Sequence, residues 1–262
     1  MRITTFASGS SGNCTLVSGC GSHILIDAGI SMKRIKAALA LSGLRPEDIS
    51  GILVTHEHSD HISGIAMLNK TCRIPIFAPR TVAEHLRYAV AGVEESLHII
   101  PVGERFALGP LTVTAFRTPH DTAESVGYRI EGDGIFAFAT DTGHISEEME
   151  RGLTGADAVI IEANHDVDML MDGPYPAYLK KRILSADGHL SNADCGVLAR
   201  RLAESGTRSI LLGHLSRENN TPSVAYEAVH AALCGMEQVF LAVVPAAERM
   251  TLEFERKEVC SP

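Results

Sequence analysis

Apolar positions along this chain fall in short runs separated by small and polar residues, the pattern of buried strands joined by turns. Residues 2–7 alternate like a strand, and Cys14–Ser18 with His23–Asp27 read as a strand pair around Gly19–Gly21. Ser31–Ser42 has helical spacing and stops at Gly43, and Ile52–Val54 is a short buried strand with a helical pattern behind it from Ile62 to Asn69. A strand over Ile74–Ala78 and a helix over Thr81–Ala91 follow. Three strand-like stretches come next, at His98–Pro101, Leu111–Arg117 and Val126–Glu131, and the last turns at Gly132–Gly134 into Ile135–Thr140. The final third alternates: a short helix from Ser146, a strand at Ala158–Ile161, helices at Tyr178–Ser185 and Asn192–Ser205, a strand at Arg208–Leu212, a helix at Val224–Cys234, and strands at Val239–Val243 and Met250–Phe254. This order fits two packed sheets with helices on both outer faces, an α+β arrangement.

Composition narrows the setting. No linker-like stretch divides the 262 residues, so one domain over 1–262 is expected, and 45% hydrophobic content suffices for a large core. No charged start followed by a long apolar run marks a signal peptide, and no run is long enough to span a bilayer. Six cysteines without a C-x-x-C pair fit free thiols in a reducing cytoplasm. The net charge of −9 argues against broad nucleic-acid affinity. It leaves room for a local basic patch, with Lys180-Lys181-Arg182, Arg200-Arg201 and Arg217 as candidates that also read as ordinary surface charge.

The chemistry concentrates in Thr55-His56-Glu57-His58-Ser59-Asp60-His61, between the end of one strand and the start of a helix. His56 and His58 can face one way along the strand, and Asp60 and His61 follow as the chain bends. Neutral imidazoles and carboxylates are the ligands that cations such as zinc prefer. His120, Asp141 and His214 each stand just past another strand, so converging strands would gather all seven at one rim. The loop Ser8–Asn13 reads either as a pocket wall or as a hairpin turn, and Asp27 either as a helix cap or as a partner to a ligand histidine.

The blocks FASGSSGN, THEHSDHISGI, TPHD, TDTG, IEANHD, GHLSN and LGHLSRENN give the chain a resemblance to the metallo-β-lactamase superfamily over nearly its whole length. Within it, they resemble the YycJ/WalJ group of nuclease-like metallohydrolases. The resemblance implies a four-layer αββα sandwich without the β-CASP insertion, for which the interval between Asp141 and His214 is too short. A small helical flap at about 164–190 is expected instead, with Asp166, Met169, Met171, Tyr175 and Tyr178 facing the mouth or the core, and His165 and Asp166 positioning it. The resemblance also sorts the ligands: His56, His58 and His120 for one metal, Asp60, His61 and His214 for the other, Asp141 bridging, and Asp27 behind a ligand histidine.

Two divalent cations are implied. The donor set suits Zn2+ first, with Mn2+ or Fe2+ compatible. Such a pair lowers the pKa of bound water from about 16 to near 7 and clamps an in-line displacement. His58 in place of Glu argues against oxygen-reducing di-iron relatives, and Thr-Pro-His-Asp differs from the glyoxalase-type motif. Glu162 and His189 resemble the Glu–His pair of ribonuclease-Z-like phosphodiesterases, which implies His189 as general acid, oriented by Glu162, with Asp60 indispensable. The expected activity is a metal-dependent phosphodiesterase, an exonuclease on DNA or RNA ends acting through hydroxide at the metals. The alternative is a hydrolase of a cyclic phosphodiester, thioester or lactone. The expected partner is nucleic acid or a small phosphodiester, with no membrane and no obligate protein partner.

Overall fold

The computed structural model describes residues 1–255. The first half of the chain runs β1 (Arg2–Ala7), β2 (Cys14–Gly19), β3 (Ser22–Ile26), α1 (Met32–Leu41), β4 (Gly51–Leu53), α2 (Ser59–Ile62), α3 (Ile65–Cys72), β5 (Ile76–Ala78), α4 (Arg80–Ala89) and β6 (Leu97–Ile99). The second half begins with β7 (Arg105–Leu108), β8 (Leu111–Arg117), β9 (Val126–Glu131), β10 (Ile135–Ala139), α5 (Glu147–Leu153), β11 (Ala158–Glu162), α6 (Val167–Asp172) and α7 (Ala177–Ile183). It ends with α8 (Asn192–Glu204), β12 (Ser209–Gly213), α9 (Pro222–Ala232), β13 (Phe240–Val243) and β14 (Met250–Glu253).

These strands form two seven-stranded sheets, in the orders β14-β1-β2-β3-β4-β5-β6 and β13-β12-β11-β10-β9-β8-β7. Each sheet is antiparallel on one side and parallel on the other: β3 to β6 are parallel in the first, β10 to β13 in the second. Period-two alternation divides the side chains between layers. Ile24, Ile26 and Leu53 face Phe136, Phe138 and Ile160 in the core between the sheets. Leu25 and Ile52 turn outward onto Ile35, Leu68 and Leu86 of α1, α3 and α4. Val159, Ile161 and Leu212 meet Leu153, Leu198 and Val229 of α5, α8 and α9 on the other outer face. Each such side chain, fully buried, contributes about 1.5–3 kcal/mol relative to exposure. The four-layer αββα sandwich is therefore the observed fold.

Some expectations shift. The helical pattern from Ile62 splits into α2 and α3 at Gly64, where a side chain's Cβ would stand 2.3 Å from the Ile30 carbonyl oxygen. Strand β7 went unread because Arg105-Phe106-Ala107-Leu108 is too short and mixed for its periodicity to register. Helix α4 starts at Arg80, after Pro79, rather than at a threonine. Cys14, Cys20, Cys72, Cys195 and Cys234 are free thiols, while Cys260 lies outside the described residues. Among the described residues, no helix is long and apolar enough to cross a membrane.

One contact between the sheets bears on the site. Tyr128 of β9 is fully buried, and its hydroxyl donates to the Val54 carbonyl oxygen at 2.5 Å. Beside it, the Val126 amide donates to the Thr55 carbonyl oxygen at 3.1 Å. The second sheet thus grips the first at the residue where the histidine-rich turn begins.

Candidate active site

The strands β3, β4, β8, β10, β11 and β12 all run toward the same rim, and their C-terminal ends deliver Asp27, His56, His120, Asp141, Glu162 and His214. That edge is where parallel sheets place ligands. Three of these residues, Asp27, Asp141 and His214, sit in the left-handed region at φ of 59°, 58° and 56°. Left-handed backbone in non-glycine residues is costly and collects at functional sites. Here it turns each side chain back over the rim at the end of its strand.

All seven expected ligands come together. Ligand atoms of His56, His58 and His120 lie within 4.8 Å of one another, as do those of Asp60, His61 and His214, and those of His56, His61 and Asp141. Asp141 stands between the groups, its oxygens 3.3 Å from His61 Nε2 and 3.9 Å from His120 Nε2. Four of the histidines follow one rule. His61 Nδ1 donates to Asp27 Oδ2 at 2.7 Å, His214 Nδ1 to Glu162 Oε1 at 2.8 Å, His120 Nδ1 to the Gly188 carbonyl at 3.2 Å, and His56 Nδ1 to Thr55 Oγ1 at 3.0 Å. With Nδ1 committed, the neutral form of each ring carries its lone pair on Nε2, which faces the shared space.

The same space meets a direct test of fit to cations. The Nε2 atoms of His56, His120 and His214 and Oδ2 of Asp141 are buried and make no hydrogen bond. Buried polar atoms are nearly always partnered, so four orphans converging on one cavity fit cations bound among them.

Electrostatics point the same way. Burial alone would raise the Asp141 carboxyl, but His214 and His61 hold it well below the usual carboxylate range. Burial would lower His61, yet Asp27 and Asp141 carry it up to about 10. His214 is likewise raised against its burial, by Asp141, Asp60 and Glu162. The carboxylates therefore favour positive charge at this rim. His56 shows the opposite balance: burial and neighbouring imidazoles push it well below its ordinary value, which keeps it a neutral lone-pair donor.

Asp27 is the partner of His61 and no helix cap; Ser31 caps α1 through the Arg34 amide. Glu162 and His189 meet as expected, Oε1 to Nδ1 at 2.8 Å. His189 does not cap the helix behind it; Ser191 does. Glu162 does more than the sequence indicated. The same Oε1 accepts from His214, and Oε2 accepts the amides of Thr142 and Leu190 at 2.9 and 3.1 Å. Burial would raise this carboxyl, but His189 and its bonds to both imidazoles hold it at about 2.

Other contributors carry no ligand-type signature. Thr55 Oγ1 donates to Asp27 and accepts from His56, linking the two ligand groups. Asn13 places its side-chain nitrogen 3.0 Å from His61 Nε2, and its Oδ1 accepts the Gly9 amide at 2.8 Å. Ser8 Oγ accepts the His214 amide at 2.9 Å. The Ser8–Asn13 loop is therefore a wall of the site, one of the two readings open from sequence. Gly29 makes this possible, because a Cβ there would fall 1.6 Å from the Asp60 carbonyl oxygen.

The flap region 164–190 carries α6 and α7. Asp166 caps α6 through the Met169 amide, and Leu170 anchors it. Met171 and Tyr178 do not face the core: they are 53% and 76% exposed, because Leu170 and Ile183 take the inward positions. His165 is buried. Arg200 and Arg201 pair with Glu204 and Glu150 on the surface of α8, as ordinary surface charge. Arg182 instead reaches the mouth, where its Nε donates to Asp121 Oδ2 at 2.5 Å. The other oxygen of Asp121 lies 3.3 Å from His120 Nε2.

A sandwich of two mixed sheets with a histidine- and aspartate-lined rim defines a metal-dependent hydrolase of the beta-lactamase superfamily, and the family described as Beta-lactamase superfamily domain matches residues 22–215. The chain is 38% identical over 229 residues to exodeoxyribonuclease WalJ of Streptococcus pneumoniae serotype 2 (strain D39), a match covering 86% of this chain and 85% of that protein. It is 36% identical over 235 residues to exodeoxyribonuclease YycJ of Bacillus anthracis, covering 89% of each. This chain belongs to the WalJ/YycJ family. In fold it is similar to the metallo-beta-lactamase fold protein YhfI from Bacillus subtilis, with a TM-score of 0.73 at 17% identity over 96% of this chain and 99% of that one.

Proposed function

We propose that this protein is a metal-dependent exonuclease that hydrolyses phosphodiester bonds at the ends of DNA. His56, His58 and His120 would hold one divalent cation and Asp60, His61 and His214 a second, with the Asp141 carboxylate available between the two groups. Zinc suits five imidazoles and two carboxylates, with manganese or iron compatible. When bound, such a pair acidifies water and neutralises charge on a phosphodiester. DNA as the substrate rests on the names of the relatives, and a cytoplasmic setting on the free thiols.

The observation that carries the reading is the pair His189–Glu162, set against the ligands. The His189 ring centroid lies 5.2 Å from that of His120 and 5.4 Å from that of His214. Its Nδ1 is 2.8 Å from Glu162 Oε1, and Glu162 raises its basicity against the effect of burial. A protonated imidazole held there delivers its proton to the leaving oxygen, the group that an alkoxide leaving from phosphorus requires. Glu162 fixes the ring's direction and stabilises its charge.

The test is hydrolysis of end-labelled DNA and of bis-p-nitrophenyl phosphate, in zinc and in manganese, with metal content measured alongside. Asp60→Ala and His61→Ala should each lose at least about 10³-fold in rate, with bound metal reduced and the fold retained. Wild-type rates in both variants would refute the assignment.

A further inference from the structure

A cavity of about 290 Å³ opens beside His189, between α7 and the wall formed by the Ser8–Asn13 loop. We propose, resting on the exonuclease reading above, that it receives the nucleobase on the leaving side of the scissile bond, with Tyr175 as its stacking wall and Arg182 as its phosphate contact.

The size comes first. The volume is at the small end for ligand pockets, which start at roughly 300 Å³. It accommodates a single base and its sugar and excludes a stretch of strand. The lining comes second. Leu179 and Ile183 stand one turn apart on α7 and make an apolar face, and Tyr175 joins them in the lining from just before the helix starts. The lining also holds Ser10, Asn164 and Ser216, whose side chains can hydrogen-bond, with Asn164 Nδ2 already given to the His214 carbonyl. A nucleobase has this same division, with apolar faces and a polar edge, and every base offers a face to an aromatic ring whatever its identity.

Position is the third point. His189 is part of the lining, so a group seated here hangs from the oxygen that His189 would protonate. Charge is the fourth. In a chain of net charge −9, Lys180, Lys181 and Arg182 are consecutive on α7. Arg182 spends Nε and one terminal nitrogen on Asp121 Oδ2, which fixes the plane of the guanidinium. Among the described residues its remaining donors have no partner, in a side chain 58% exposed. A planar donor held this way suits the next phosphate along a strand.

The experiment compares three substrates on the metal-loaded protein. They are an ordinary oligonucleotide, oligonucleotides with an abasic residue on either side of the first scissile bond, and bis-p-nitrophenyl phosphate. The wild type should lose about tenfold in kcat/KM for an abasic residue on one side only, the size expected for one stacked base. Tyr175→Ala should fall about tenfold further on the ordinary oligonucleotide than on bis-p-nitrophenyl phosphate, and should no longer distinguish abasic from ordinary ends. Tyr175→Phe should restore both behaviours, and Arg182→Ala should raise KM and flatten the salt dependence by about one phosphate contact. If abasic residues on both sides are tolerated, or if Tyr175→Ala loses the same factor on every substrate, the pocket is only a gap under the flap and the proposal fails. Failure of the underlying exonuclease reading looks different: the wild type would leave every oligonucleotide intact, whether or not it cleaved bis-p-nitrophenyl phosphate.

Discussion

His61 and His214 each lean on a buried carboxylate, whereas His56 and His120 lean on a hydroxyl and a peptide carbonyl. The two candidate ligand groups are thus held by different means within one rim. Behind the Asp60, His61 and His214 group stand Asp27 and Glu162, both fully buried and each bonded to several donors. Behind the His56, His58 and His120 group there is no buried carboxylate among the described residues, and the side chain of His58 is 35% exposed. Its nearest acid, Asp121, is shared with Arg182 at the mouth. A carboxylate behind an imidazole raises its basicity and fixes its orientation. The first arrangement therefore suits a cation that stays, the second a cation that can exchange and reach substrate.

Glu162→Gln attacks this contrast most strongly. Both oxygens of Glu162 only accept, so an amide nitrogen in either place would face a donor. A loss of 10²–10⁴ in kcat on DNA is expected, the usual range for losing a positioned proton donor. Affinity for the second cation should fall with it, measured by titrating the chelated protein. A variant that lost rate while binding both cations normally would separate Glu162 from His214.

Asp27→Asn should act on one group alone. Metal affinity should drop 10–100-fold at the His61 position, the usual cost of removing a partner behind a ligand. Stoichiometry should then go from two ions to one under graded dialysis. Equal loss of both ions would show that the groups are not independent.

Thr55→Val should have the smallest effect on metal and a visible one on stability. It removes the hydroxyl that accepts from His56 and donates to Asp27. Leaving one donor of a buried carboxylate unmade costs about 1–3 kcal/mol, readable as a lowered Tm. Weakening of only a few-fold at the His56 position would fit its neutral backing. A hundredfold loss there would erase the distinction.

Most of the fold was legible because its alternation is unbroken: Ile24-Leu25-Ile26 and Ile52-Leu53 each divide their side chains between two cores. The gathering of the candidate ligands was legible because imidazoles and carboxylates at strand ends are chemically conspicuous. What supports them was not. Thr55, Asn13 and Ser8 are ordinary loop residues until the chain closes, and the bond from the His214 amide to Ser8 spans 206 positions. Glu162 was visible as a partner of His189, but its bond to His214 depends on β11 and β12 lying side by side. Which sides of α6 and α7 meet the core was not legible, because two such short helices have no strong periodicity: Leu170 and Ile183 go inward while Met171 and Tyr178 stay exposed.

The single oxygen that Glu162 lends to two imidazoles has a consequence for how this enzyme can change over evolutionary time. If His214 holds a cation and His189 is the acid, as proposed above, any alteration there would retune both together, and neither property could drift alone. Under the same proposal, adaptation to a different leaving group would fall to the side chains that line the cavity beside His189, such as Tyr175 and Leu179.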